Sequence, residues 1–151
     1  MKNLRPRLSF LMILAIPLIA LSCDSVTSPK KGLTVIASTS RHAFGNITFR
    51  IGVENAGSTT ETLEFGSSQF FDIEVRDLSG RLVWLWSYGK AFFAVVWGLE
   101  LSPGESSVQD TVWNLIGNDQ KPVAPGSYTA KIYIMSGPRN ERPTSVIRLI
   151  I

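Results

Sequence analysis

Apolar and polar residues alternate with a period of two along most of the chain after residue 32, as in residues 47–54 and 71–76. This alternation, rich in β-branched and aromatic residues, is typical of half-buried β-strands. It predicts eight strands, at Leu33–Ser38, Ile47–Glu54, Glu61–Phe65, Phe71–Arg76, Arg81–Ser87, Ser107–Trp113, Ser127–Met135 and Thr144–Ile151. No segment has the pattern of a long amphipathic helix, so we expect an all-β protein.

Turn-forming residues separate these segments. Asp77-Leu78-Ser79-Gly80 has Asp at its first position and Gly at its last, which is typical of a type I hairpin turn. Pro125-Gly126-Ser127-Tyr128 predicts a turn and then a tyrosine corner, in which the tyrosine hydroxyl binds nearby backbone. We expect Trp113 in the core. Many short strands joined by turns predict one antiparallel β-sandwich domain, over residues 33–151.

The first 23 residues have a different pattern. Residues 1–7 hold three basic residues and no acid, residues 8–21 are almost wholly apolar, and Ser22 and Cys23 follow. A basic amino-terminal segment, a short apolar run and small residues before a peptidase cleavage site define an export signal. The run is shorter than the roughly 20 residues of a membrane span. The ending Ala20-Leu21-Ser22-Cys23 resembles the lipobox of bacterial lipoproteins.

This pattern predicts an address for the protein. We expect residues 1–22 to be a signal peptide, Cys23 to carry the lipid, and residues 23–32, rich in Ser and Thr, to be a tether. The domain would then be held in the membrane by its lipid, in the bacterial cell envelope and facing away from the cytoplasm. The alternative is an ordinary secreted protein whose cysteine is incidental.

Composition changes the picture in two ways. The chain has 15 basic and 12 acidic residues, and removal of Lys2, Arg5 and Arg7 with the signal leaves 12 of each. The mature net charge of zero argues against nucleic acid as a partner. Because Cys23 is the only cysteine, lipidation would leave no thiol for a disulfide, and the core must stabilise the domain.

Residues that carry catalysis or bind metals are sparse. The only histidine is His42, which we expect to be a solvated loop residue, and no pattern indicates a metal or cofactor site. Asp72 and Glu74 alternate with apolar residues, so we expect them on the solvated face of a strand. No Gly-x-Ser-x-Gly motif is present, so the sequence indicates a protein that is not an enzyme.

A series of short motifs runs from about residue 47 to residue 135. Its members are Val53-Glu54-Asn55, Leu63-Glu64-Phe65, Ser67-Ser68-Gln69, Phe71-Asp72-Ile73-Glu74-Val75, Gly80, Val83-Trp84-Leu85-Trp86-Ser87, Lys90-Ala91-Phe92, Leu101-Ser102-Pro103-Gly104-Glu105-Ser106, Trp113 and Ala124-Pro125-Gly126-Ser127-Tyr128. In order and spacing this series resembles the BsuPI-type intracellular proteinase inhibitor family. The resemblance implies an immunoglobulin-like β-sandwich that inhibits a serine proteinase by direct binding.

The segment Leu82–Trp97 is unusually rich in aromatic residues. One interpretation is a central strand followed by a loop folded over the core. The other is a protein-binding patch, because Trp and Tyr are common interface anchors. The candidates for partner binding are Trp86, Tyr88, Phe92 and Phe93.

Three loops are candidates for presentation to a proteinase: Ser87–Ala94, Asn114–Pro125 and Ser136–Pro143. The last two contain Lys121, Arg139 and Arg142, which suit the primary-specificity pocket of a trypsin-like enzyme or are simply solvated charges.

Two hypotheses about function therefore stand together. The first is a lipid-anchored, non-enzymatic, protein-binding module that acts like a proteinase inhibitor, with a serine proteinase as its partner. The second is a structural or assembly lipoprotein that contacts another envelope protein without inhibitory activity. In both, the lipid on Cys23 binds the membrane.

Overall fold

The computed structural model describes residues 32–42 and 45–151, which form nine β-strands and no helix. The predicted signal peptide, the lipidation site Cys23 and all of the tether except Gly32 lie outside the described residues. The strands are β1 Leu33–Arg41, β2 Ile47–Asn55, β3 Glu61–Phe65, β4 Phe71–Asp77, β5 Leu82–Leu85, β6 Trp97–Leu101, β7 Ser106–Trp113, β8 Ser127–Ile134 and β9 Thr144–Ile150.

The strands pair into three antiparallel sheets, in the orders β1-β2-β7, β5-β4-β8-β9 and β3-β6. The two larger sheets pack face to face, and the Phe49 ring of β2 lies 6.0 Å from the Trp84 ring of β5. Fully buried side chains of β2, β4 and β8 fill the space between them. The prediction of an all-β, immunoglobulin-like antiparallel β-sandwich is confirmed.

Eight of the nine strands match predicted ones to within three residues at either end, and β6 is the strand that sequence reasoning missed. A second correction concerns the predicted strand Arg81–Ser87. In one interpretation of the aromatic segment Leu82–Trp97, this strand was central in its sheet. The strand there is only Leu82–Leu85, and it lies at the edge of its sheet beside β4. Trp84 and Trp86 still face inwards because the other sheet covers them across this edge.

The two-stranded ribbon of β3 and β6 closes one end of the sandwich. Leu63, Phe65 and Leu101 are buried under it, and Phe65 pairs with Ser136 just beyond β8. The strands β2 and β8 end at this end of the sandwich, and β1 and β4 begin there. For example, Leu33, the first residue of β1, pairs with Asn55, the last residue of β2. We call this end the ribbon end; its connections are residues 56–60, 66–70, 86–96, 102–105 and 135–143.

Asn55 is the main polar group inside the ribbon end, and its side chain is completely buried. Its Nδ2 donates to the carbonyls of Thr59 at 2.7 Å and Leu101 at 2.8 Å, and its Oδ1 accepts from the Gly57 N–H at 2.9 Å. One side chain therefore joins the end of β2 to the following turn and to the end of β6.

Two predicted local motifs are present at the opposite end. The Tyr128 hydroxyl donates to the Ala124 carbonyl at 2.7 Å, which confirms the tyrosine corner. In the turn before β5, the Gly80 N–H donates to the Asp77 carbonyl at 2.9 Å. The Asp77 carboxylate accepts from Ser79 and Arg81, and these hydrogen bonds lower its pKa to about 2. Trp113 is buried, as predicted.

Candidate functional site

The aromatic segment between β5 and β6 divides into residues that face the core and residues that face solvent. Trp86 is half-buried; its ring lies 4.4 Å from that of Phe71, and its indole N–H donates to Thr111 Oγ1 at 2.9 Å. Phe92 lies 5.9 Å from Trp86 and is also half-buried. Of the four candidate residues, these two therefore serve mainly in packing.

The other two candidates are exposed. The exposed fraction is 61% for Tyr88 and 82% for Phe93, and Val96 is also 82% exposed. We call residues 88–96 the aromatic loop. Isolated exposed apolar residues are common, but several within nine residues, at one end of a domain, suit a binding surface.

Side-chain hydrogen bonds fix the aromatic loop just before its first residue and again near its middle, at Phe93. The Ser87 hydroxyl donates to Asp72 Oδ2 at 2.7 Å, so this carboxylate of β4 fixes the start of the loop. The Phe93 N–H donates to Ser68 Oγ at 3.0 Å, and the Phe93 carbonyl accepts from the Ser68 N–H at 2.9 Å. The exposed Phe93 side chain is thus carried on a backbone that is fixed on both sides.

Lys90 is the only charged residue of the loop, and it folds back onto the domain. Its Nζ lies 3.4 Å from the centre of the Trp86 ring, which is a cation–π contact. Burial lowers the pKa of Lys90, and the nearby Asp72 carboxylate partly opposes that change. Lys90 nevertheless remains exposed, so the outward surface of the loop presents one cation beside the apolar side chains of Phe93 and Val96.

The other two candidate loops occupy different places. Ser136–Pro143 lies at the ribbon end with the aromatic loop: the Gly137 N–H donates to the Glu64 carbonyl of β3 at 3.0 Å, and the Phe93 N–H donates to Ser68 just after β3. Asn114–Pro125 lies along the β5 edge. The structure thus groups two of the three loops at one end.

The three basic candidates also differ in their surroundings. Lys121 and Arg139 are exposed on their loops. Arg142 is half-buried, and its Nη1 lies 3.5 Å from the Met135 sulfur. Arg142 is therefore a packed side chain and is unsuited to enter a trypsin-like pocket.

The Asn114–Pro125 loop covers the backbone edge of β5. Asn118 Oδ1 accepts from the Leu85 N–H at 2.6 Å, its Nδ2 donates to the Leu85 carbonyl at 3.3 Å, and its own N–H donates to the Val83 carbonyl at 3.1 Å. The amide side chain therefore takes the place of a neighbouring strand. This covering blocks strand addition at β5.

Two clefts flank β5 in the described part of the chain. A cleft of about 410 Å³ is lined by Asp72, Glu74, Arg139 and Arg142, but Asp72 binds Ser87 and Glu74 pairs with Arg76 at 3.0 Å. The second cleft, of about 380 Å³, is lined mainly by aromatic and amide side chains, including Trp84 and Asn118.

His42 is exposed, and its Nε2 lies 2.6 Å from Thr48 Oγ1. Within residues 32–42 and 45–151, no cluster of three His, Cys, Asp or Glu side chains has the geometry to hold a metal ion. In the same part of the chain, no helix is long and apolar enough to cross a membrane.

Sequence reasoning found the aromatic loop but missed the residues that fix it. The sequence places Asn55 and Ser68 only in the motif series, and it predicts Asp72 on the solvated face of a strand. The available signal was that each is a short polar side chain at a strand terminus, where Asn, Asp and Ser commonly bind backbone.

A family model described as "BsuPI: Intracellular proteinase inhibitor" matches residues 33–139, a longer stretch than the motif series. The comparison with curated proteins found no match.

Among solved structures, the chain is similar to the CARDB domain of a Pyrococcus furiosus protein, which was solved in complex with di-metal ions. The two are 17% identical, the match covers 78% of this chain and 90% of that one, and the TM-score is 0.39. It is also similar to the C-terminal domain of wzt, with 15% identity, coverage of 84% and 77%, and a TM-score of 0.48. A Bacteroides uniformis β-glucuronidase matches with 16% identity, 80% of this chain, 13% of that chain and a TM-score of 0.44. At these values the ligands and activities of those proteins do not transfer to this chain.

Proposed function

Because the chain belongs to the BsuPI intracellular proteinase inhibitor family, we propose that it is a lipid-anchored, non-enzymatic module that binds a serine proteinase through its aromatic loop. The lipid is placed on Cys23, in the bacterial cell envelope, on the evidence of the amino-terminal sequence pattern. The proposal of a non-enzyme is supported by the lone histidine, whose partner is a threonine hydroxyl.

The observation that carries the proposal is the presentation of Phe93. Its side chain is 82% exposed while its N–H and C=O are both bound to Ser68. Burial of such a side chain in a partner contributes about 1.5–3 kcal/mol. A preorganised backbone lowers the entropic cost of binding, so Phe93 meets the description of an interface anchor.

The same hydrogen bonds decide how Phe93 would meet a proteinase. Its carbonyl accepts from the N–H groups of both Ser68 and Val95, at 2.9 and 3.0 Å. A substrate-like residue must instead offer its carbonyl to the oxyanion hole of the enzyme. We therefore place Phe93 as a side-chain anchor beside the active-site cleft, and the inhibitor remains uncut in the complex.

A matched pair of variants tests the proposal. Titration of subtilisin-type and trypsin-type proteinases with a chain that begins at residue 24 should show inhibition near one to one. Phe93→Asp should weaken binding at least about 30-fold, the equivalent of 2 kcal/mol. Leu78→Asp, also at an exposed apolar residue (83%) but at the opposite end, should not.

Both variants should unfold at the same denaturant concentration as the parent, since both side chains are exposed. If no proteinase in the panel is inhibited at micromolar concentration, or if Phe93→Asp inhibits as well as the parent, the proposal is wrong. Cleavage between residues 93 and 94 would contradict the uncut mode specifically.

The export pattern favours a second candidate, because the family is described as intracellular whereas this chain carries a lipoprotein-like signal. In that case the aromatic loop contacts a structural or assembly protein of the envelope. Crosslinking in intact cells that yields a stable envelope partner, with no proteinase recovered, would support it. For the lipid itself, alkyne-palmitate labelling decides: label on Cys23→Ala would refute acylation at Cys23.

A further inference from the structure

Gly32 and the aromatic loop lie at the same end of the sandwich. The Gly32 carbonyl accepts from the Ala56 N–H at 2.8 Å, directly after β2 ends. The aromatic loop leaves β5 and enters β6 at this ribbon end, where Phe93 binds Ser68 just before β4. The domain is therefore joined to its tether at the end that carries Phe93.

The length of the tether limits how far that end can lie from a lipid on Cys23. Residues 24–32 number nine. Fully extended, they span at most about 30 Å. A lipidated Cys23 therefore keeps Gly32, where the ribbon end joins the tether, within that distance of the bilayer surface.

The charges around the loop favour a protein over the lipid bilayer itself as the surface that it meets. The exposed charged side chains of the ribbon end are mainly acidic: Glu64, Glu100, Glu105 and Glu141 outnumber Lys90 and Arg139. Glu64 and Glu100 are exposed on the outer face of the ribbon, and Glu64 lies opposite Gly98, two residues from Val96. Carboxylates are repelled by the negative potential of anionic lipids, whereas basic residues of a protein complement them.

We infer that the partner of the aromatic loop is itself held in the membrane and presents, near the bilayer, an apolar pocket rimmed by Lys or Arg. This inference rests on the proposed function, and it narrows the partner from any proteinase or envelope protein to a membrane-bound one. A lipid on Cys23 would keep this end of the domain near the bilayer, where a membrane-bound partner is also confined.

Photocrosslinking in the producing cells tests this placement. The full chain carries p-benzoylphenylalanine in place of Phe93, either with its own tether or with about 30 Gly and Ser residues inserted between residues 31 and 32. We expect an adduct with a membrane protein that resists a carbonate wash. Its yield should fall about twofold with the longer tether, because the lipid anchor confines the domain only along the bilayer normal and the thickness of that layer grows roughly as the square root of tether length. The same probe in place of Leu78, at the opposite end, is the control and should give no such adduct.

The outcomes separate the inference from the function on which it rests. A protein adduct whose yield is unchanged by the longer tether, or an adduct with a soluble protein, overturns the inference and leaves the binding function standing. Adducts with lipid alone assign the loop to the bilayer and overturn the inference as well. No adduct at position 93 with either tether rejects the proposed function itself.

Discussion

Replacement of Asn55 by Asp should unfold the ribbon end, although the two side chains have nearly the same shape. Asn55 Nδ2 donates to the carbonyls of Thr59 and Leu101, and the whole side chain is buried. A carboxylate would place an oxygen, with its negative charge, 2.7 and 2.8 Å from two carbonyl oxygens. Only the bond that Oδ1 accepts from the Gly57 N–H would survive.

The magnitude follows from these contacts. Two lost hydrogen bonds cost about 1 kcal/mol each, and an unpaired buried charge raises the total to about 3–5 kcal/mol. Domains of this size have free energies of unfolding of about 5–15 kcal/mol. Asn55→Asp should therefore consume a large part of the stability at neutral pH.

The pH dependence of the stability of Asn55→Asp is a second, independent test of the buried charge. Burial without a cation should raise the pKa of the introduced carboxyl above its unfolded value of about 3.9. The penalty is then complete above the raised pKa and disappears as the pH falls through the unfolded value. The difference in stability from the parent should consequently be smaller at pH 4 than at pH 7.

Urea unfolding at both pH values, followed by tryptophan fluorescence, measures the difference in free energy. Asn114→Asp is the matched control, because Asn114 is exposed and its Oδ1 only accepts, from the Ile116 N–H at 3.2 Å. That change should stay within about 0.5 kcal/mol. A loss below about 1 kcal/mol for Asn55→Asp at pH 7, or a loss that does not shrink at pH 4, would refute the account of Asn55.

Three further predictions concern other polar contacts. Tyr128→Phe removes the hydroxyl bond to Ala124 and should cost about 1–2 kcal/mol in thermal unfolding; no loss would mean that the tyrosine corner is not stabilising. Asn118→Ala uncovers the backbone of Leu85 and should increase self-association in light scattering, whereas a variant that stays monomeric would contradict edge protection. The Asp77 carboxyl should titrate near pH 2 by NMR, so its stabilising contribution is present above about pH 4 and is lost as the pH falls towards 2; a titration near pH 4 would disagree.

The alternating pattern was sufficient to predict most strands because each has one buried face. Phe49, Ile51 and Val53 of β2 are completely buried, and that burial is what a period of two reports. The strand β6 was missed since its five residues include Gly98, and they pack on the short β3 and not on a large sheet. The period alone also could not separate an edge strand such as β5 from a central one, because both faces of Leu82–Leu85 carry apolar side chains.

The sequence predicted which residues belong to the candidate site, but not which of them are packed and which are exposed. The sequence placed Trp86, Tyr88, Phe92 and Phe93 in one group, and only the fold shows that Trp86 and Phe92 pack together while the other two are exposed. Which aromatic residue faces solvent depends on contacts with distant residues. For example, Thr111 of β7 accepts from the Trp86 indole and turns that ring inwards.

The ribbon end has to be rigid without a covalent crosslink, because the chain has a single cysteine. Its connections also lie beyond the strand ladders, where backbone groups lack regular partners. Asn55, Ser68 and Asp72 supply those partners: each is a short polar side chain near the end of a strand that binds the backbone or hydroxyl of another segment. Short side chains lose little rotamer entropy when they are fixed, so they stabilise loops at low cost. The backbone that carries the exposed Phe93 can therefore be held by hydrogen bonds alone, without a disulfide.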